Sequence, residues 1–215
     1  MTAKVIVVTN QKGGCGKTTL TMNLAGALGA KSKVLVVDGD PQGSATRWAA
    51  SASDEKPFSA SVMGLANAGD KVHREIKKYI DNYDYILIDC PPAVENSFTG
   101  SALMVADLAL IPIVPSPTDL WSAIGIQKLI SNVSVLNEKL ETRLVANMCQ
   151  GNVSISKEAL ALLDEFDFPK IKTDIYQRTV YRQAAALGGS VNDLDNSKAT
   201  DELNSLVAEI LQILG

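Results

Sequence analysis

The sequence predicts a single α/β domain spanning residues 1–215, with a mainly parallel, twisted sheet flanked by helices on both faces. Three observations carry that expectation. Short β-branched apolar runs recur along the chain, and longer stretches with helical spacing separate them, which is how βαβ units are written. No repeat, low-complexity tract or linker interrupts the alternation.

The first run, KVIVVTN (4–10), reads as a buried strand, and TTLTMNLAGALGA (18–30) as a helix rich in small and apolar residues. KVLVVDGD (33–40) is the next strand, followed by a polar, Ser/Ala-rich segment to about residue 60. SVMGLA (61–66) reads as a short strand or a turn, HREIKKYIDNY (73–83) has helical charge spacing, and YILIDCPP (85–92) is a third strong strand. ADLALIPIVP (106–115) adds a strand, residues 120–136 a helix, and TRLVANM (142–148) another strand. SKEALALLDEF (156–166) is expected to be helical and KIKTDIY (170–176) to form a short last strand. RTVYRQAAALG (178–188) opens another helical stretch, and ATDELNSLVAEILQIL (199–214) closes the chain as an amphipathic helix.

Composition narrows the class. With 46% apolar and 20% charged residues, the chain buries a real core. No apolar run reaches the ~18–20 residues of a membrane span, and the N-terminus shows no secretory pattern. The expected location is therefore the cytoplasm. Cys15, Cys90 and Cys149 are odd in number and widely spaced, so they read as reduced thiols and not as a disulfide framework or zinc site. A net charge of −4 means that any nucleic-acid contact must come from a local basic patch.

NQKGGCGKTTLTMNL (10–24) lies between the first strand and the first helix. The usual phosphate-loop spelling, G-x-x-x-x-G-K-[ST], needs a glycine where Gln11 stands, and Lys12 adds a second cation. Gly13, Gly14 and Gly16 still let the backbone approach anionic oxygens, and the following helix points its positive end at them. Lys17 is placed to reach β- and γ-phosphates, and Thr18 to set its hydroxyl on Mg²⁺. VLVVDGDPQG (34–43) ends a strand with Asp38 and Asp40, whose two-residue spacing predicts carboxylates on one side of an extended chain. YILIDCPP ends in Asp89, an apolar run delivering one carboxylate beside a metal.

Together these motifs resemble the ParA/MinD family of P-loop ATPases. Lys12–Thr19 match its deviant Walker A motif, Asp38–Gln42 its D-x-D-P-Q segment, and the strand ending at Asp89 its Walker B form. The resemblance runs from Lys4 to the final helix and is closest to the small ParA-type partition ATPases without an N-terminal helix-turn-helix domain. It implies ATP and Mg²⁺ as cofactors. ATP would be held by Lys12, Gly13, Gly14, Cys15, Gly16, Lys17, Thr18 and Thr19, with Asn147 reading adenine. Thr18, Asp38 and Asp89 would serve the metal, directly or through water. Lys12, Lys17 and Asp40 would be catalytic: Lys12 reaches the partner's phosphates across an ATP-sandwich homodimer, and Asp40 orients the attacking water. Asp119, after IPIVPSP, would lie near the nucleotide and the dimer interface. The same family relation brings the cysteine-held cluster of nitrogenase iron proteins to mind, but Cys15 and Cys90 read as small apolar fillers.

By resemblance, the closed dimer binds non-specific DNA of the nucleoid through a C-terminal basic face. Arg178 and Arg182, four apart on one helical face, lead it, with Lys170, Lys172, Lys157 and Lys198 nearby. A ParB-like partner would then stimulate hydrolysis and drive partition of a plasmid or chromosome. Positioning of a protein cargo, a carboxysome or chemoreceptor cluster with its own adaptor, is the alternative. A MinD-like membrane role is disfavoured, because the last helix carries Asp201, Glu202 and Glu209 beside its apolar stripe and nothing basic follows Lys198. A metabolic P-loop ligase is the remaining reading from another class.

Overall fold

In this computed structural model, which describes residues 2–92, 97–150, 167–195 and 197–215, the strands form one parallel six-stranded sheet. In chain order they are β1 (Lys4–Val8), β2 (Val34–Asp38), β3 (Ser61–Gly64), β4 (Tyr85–Asp89), β5 (Leu108–Ile113) and β6 (Glu141–Ala146). The helices among the described residues are α1 (Lys17–Gly29), α2 (Ser44–Ala50), α3 (Val72–Lys77), α4 (Ser97–Leu103), α5 (Pro117–Ser134), α6 (Thr179–Ala186) and α7 (Ser197–Leu214). The expected helix over 156–166 lies outside the described residues.

Alternation along each strand feeds two cores, because successive side chains leave opposite faces of a sheet. Val5 and Val7 of β1 pack with Ile76 of α3, Phe98 of α4 and Ile130 of α5. Ile6 and Val8 pack with Leu20 and Leu24 of α1 and with Leu203, Leu206 and Ile210 of α7. Burial on both faces explains why β1, β2 and β4 read as unbroken apolar runs. The stripe of α7 is thus spent on the domain, and Lys4 Nζ donates to Leu214 O at 2.6 Å, a cation satisfying the last turn of that helix. Among the described residues no helix is long and apolar enough to cross a membrane.

The strand order is β3-β2-β4-β1-β5-β6. From β1 the chain crosses through α1 toward β2 on one side, whereas from β4 it crosses through α4 toward β5 on the other. The two connections leave opposite faces of the sheet from the neighbours β1 and β4, and the crevice at the carboxyl ends of such strands is where open α/β sheets bind ligands. The loop after β1 and Asp89 at the end of β4 both open onto it.

One expected strand needs correction, and another is shorter than expected. KIKTDIY forms no strand; it makes only single bridges, Leu144 with Lys170 and Cys149 with Tyr176. The second strand stops at Asp38, two residues short of the expected run, and Asp40 and Asp38 both lie close enough to Asp89 to act on its charge.

Candidate nucleotide site

The loop over residues 9–16 is held from below and open above. Asn10 Nδ2 donates to Pro112 O at 2.8 Å, tying the loop to β5, and Lys12 N donates to Asn10 Oδ1 at 3.2 Å. Cys15 is buried and its thiol donates to Lys12 O at 3.3 Å, a filler closing the loop's inner side. Gln11, where the usual motif has glycine, lies against Gly125 of α5, where an added Cβ would come within 2.9 Å of Gln11 Cδ. On the outer side a Cβ at Gly13 or Gly14 would meet nothing within 4 Å, so the cradle itself is clear. Lys17 is 7% exposed and donates from Nζ to Lys12 O at 2.9 Å, which holds the ammonium across the loop's curve.

Gly16 shows why glycine is required at this turn. Its φ is 86°, in the left-handed region, and a Cβ there would sit 2.5 Å from Asn147 Nδ2. Asn147, 5% exposed at the end of β6, donates that Nδ2 to Cys15 O at 2.8 Å. Asn147, the residue expected to read adenine, also clasps the phosphate loop in this structure. Sequence reasoning missed that role, because 132 residues separate the two partners.

The carboxylates sit across the crevice. Asp38 and Asp89 are register partners at the ends of β2 and β4. Asp38 accepts hydrogen bonds from Asp40 N (3.2 Å), Thr46 N (2.9 Å) and Thr46 Oγ1 (3.2 Å), so it ties down the turn and the first turn of α2. Asp40 Oδ1 accepts from Gln42 N at 2.8 Å. Asp89 Oδ2 accepts from Thr18 Oγ1 at 2.6 Å, whereas Oδ1 is buried with no partner among the described residues. Burial is the largest cause pushing Asp89 up to about 7, reinforced by Asp38 and Asp40 and opposed by the Thr18 hydrogen bond and Lys17. A hydroxyl, a carboxylate and an orphaned carboxylate oxygen form a hard-oxygen set that fits Mg²⁺, which takes few protein ligands and leaves room for water and phosphate. Among the described residues no group of three or more His, Cys, Asp or Glu is placed to hold a metal by itself. Burial pushes the Cys90 thiol up to about 12, so it stays protonated beside the site.

The basic residues divide. Arg178 precedes α6 in extended conformation at its N-cap, so it does not share a helix face with Arg182. Its guanidinium pairs with Glu202 of α7 and lies 5.7 Å from the Tyr176 ring centroid. Arg182 is exposed, as are Lys172 and Lys198. Lys170 pairs with Asp174 at 2.8 Å. Lys157 and the side chain of Asp119 lie outside the described residues. Both arginines line one cleft with Gly16, Thr19 and Asn147. Glu202 also accepts from Tyr176 N (3.3 Å), and Glu209 accepts from Lys172 N and Thr173 N, each at 2.9 Å. These acids are the clamps that fasten the segment 172–178 to α7; nothing in their local spacing distinguishes them from solvated glutamates.

Comparison with known proteins places this geometry. A family model described as the CobQ/CobB/MinD/ParA nucleotide binding domain matches residues 6–191. The chain is 32% identical over 211 residues to maintenance of carboxysome distribution protein A of Halothiobacillus neapolitanus, with 97% of each chain covered. It is 30% identical over 179 residues to the sporulation initiation inhibitor protein Soj of Bacillus subtilis, covering 66% of this chain and 69% of Soj. Among solved structures it resembles apo McdA of Cyanothece, with TM-score 0.83 and 21% identity over 99% of this chain and 100% of that one. It also resembles a plasmid partition protein of Borrelia burgdorferi bound to AMPPNP, with TM-score 0.77 and 19% identity over 98% and 99%. The structural likenesses carry the P-loop fold, and the family match with the full-length relative carries the assignment: the chain belongs to the CobQ/CobB/MinD/ParA family of nucleotide-binding domains.

Proposed function

We propose that the chain is a Mg²⁺-dependent ATPase that dimerises on ATP, binds non-specific DNA of the nucleoid in the cytoplasm, and positions a cargo through a stimulating partner. One observation supports it above the others: Thr18, Lys17, Asp89 and the Asp38–Asp40 turn converge at the carboxyl ends of β1, β4 and β2. Lys17 leaves Lys12 O for the phosphates, and Gly13–Thr19 supply backbone N–H groups to them. Thr18 and Asp89 would hold Mg²⁺, with Asp38 fixing the turn beside it, and the bound ion would supply charge neutralisation at the phosphates. Asp40, freed from Gln42, accepts a hydrogen bond from the attacking water. Lys12 acts on the partner's phosphates, as an arginine finger supplied in trans does. The relatives favour a protein assembly as cargo, because the likeness to the carboxysome distribution protein spans both chains. Partition of a plasmid or chromosome with a ParB-like partner is the second reading, supported by Soj and by ParA of Myxococcus xanthus, 29% identical over 66% of this chain.

The test is DNA binding at two salt concentrations without nucleotide, with ADP and with ATP, alongside ATP hydrolysis, for the native chain and Lys12→Ala. Binding that needs ATP, weakens with salt and fails in Lys12→Ala supports the dimer switch. DNA binding indifferent to nucleotide, or hydrolysis driven only by a small co-substrate, overturns it. Co-purification with a centromere-binding protein or with an adaptor of a protein assembly separates the two cargoes.

A further inference from the structure

Gly39, between Asp38 and Asp40, is not in the left-handed region, so its backbone does not demand glycine. Space does. A Cβ at Gly39 would lie 2.9 Å from Phe98 Cδ1 and closer still to Cε1 and Cζ, inside the ring's contact surface. Gly39 N donates to Asp89 O at 2.9 Å, so the glycine is fixed to the end of β4 while the ring covers it. Phe98 is 1% exposed in the first turn of α4 and packs in the core that contains Val37, Ile88 and Cys90. That helix is anchored in turn: Ser101 Oγ lies 2.8 Å from His73 Nδ1 and accepts from His73 N at 3.2 Å. The peptide that carries Asp40 thus leans on a rigid ring fastened to another helix.

We propose that Phe98 is a positioning residue for hydrolysis, its ring setting where the Asp40 peptide stands, so that the placement of α4 governs the rate and not the affinity for ATP. The proposal rests on the ATPase reading above. Aromatic ring and Cβ-less peptide fit only at close approach, and a misplacement of about 1 Å costs on the order of 10²-fold in a positioned reaction. Neither Gly39 nor Phe98 lies in the phosphate cradle, so nucleotide binding is left to Lys12–Thr19.

The experiment compares the native chain with Gly39→Ala, Phe98→Leu and the double variant. Mg·ATP affinity, single-turnover hydrolysis and thermal melting are measured for each. Gly39→Ala is expected to slow hydrolysis by roughly 10–100-fold with ATP affinity within about threefold. Phe98→Leu, which withdraws the ring, is expected to restore at least about tenfold of that rate on the Gly39→Ala background, although each single change destabilises the fold. A double variant no faster than Gly39→Ala, or rate and affinity falling together, overturns the proposal while native hydrolysis stands. A native chain that neither binds nor hydrolyses ATP overturns the ATPase reading and this proposal with it.

Discussion

Asp89 holds its carboxyl near 7 because it is buried and neighboured by two further acids. In the unfolded chain the same group titrates near 3.8. The folded state therefore binds its proton more tightly. The stability this contributes is full below about pH 4, is lost as pH rises toward 7, and is flat above. Melting of the nucleotide-free protein should show that decline, and Asp89→Asn should remove it, raising the melting temperature at pH 7.5 by several degrees while abolishing Mg²⁺-dependent hydrolysis. An unchanged slope in Asp89→Asn would place the titrating group elsewhere. Asn147 gives a second residue-scale prediction. Its removal strips Cys15 O of a buried donor, a loss of about 1–2 kcal/mol. Asn147→Ala should weaken ATP binding roughly tenfold, as titration with a fluorescent ATP analogue would show, even where the base is replaced by another.

The segment 172–178 makes one isolated bridge and backbone bonds to Ala146 and Cys149, and α7 holds it further through Glu202 and Glu209. Glu202→Ala leaves the Arg178 guanidinium, partly buried over Tyr176, without its carboxylate and should cost about 1–3 kcal/mol. Urea unfolding would measure it, and Glu202→Gln, which keeps one acceptor, should recover part. The element scale also shows what was legible in the sequence. The strands β1, β2, β4 and β5 and the helices α1 and α7 were readable, because burial on two faces or on one stripe writes itself into local pattern. Helices α2 and α4 were not. Each has seven residues; α2 follows an N-cap, Gly43, in the left-handed region, and its Thr46 N–H is capped by Asp38 across the turn, a partner no local pattern reveals. KIKTDIY alternates like a strand, yet it makes only isolated bridges and divides its backbone bonds between β6 with its exit and the glutamates of α7. The phosphate loop and Asp89 were legible because strand ends deliver them; the Asn147 clasp and the Phe98 buttress depend on contacts far apart in sequence.

At the scale of the molecule, charge decides how the proposed contact with DNA would be made. The chain carries −4 overall, so attraction to phosphates has to be local. The basic face proposed from the sequence is uneven in the structure: Arg178 is neutralised by Glu202 and Lys170 by Asp174, while Arg182, Lys172 and Lys198 are exposed. The arginines, alike in sequence, should then behave differently. Arg182→Ala should weaken ATP-dependent DNA binding several-fold, flatten its salt dependence by about one unit of slope, and leave the melting temperature in place. Arg178→Ala should lower the melting temperature and change the salt slope little, because removing a paired cation strands Glu202 and not a phosphate contact. Equal losses of salt slope in both would mean that the Glu202 pair opens in the proposed DNA complex, and the acid on α7 would then compete with phosphate for one guanidinium.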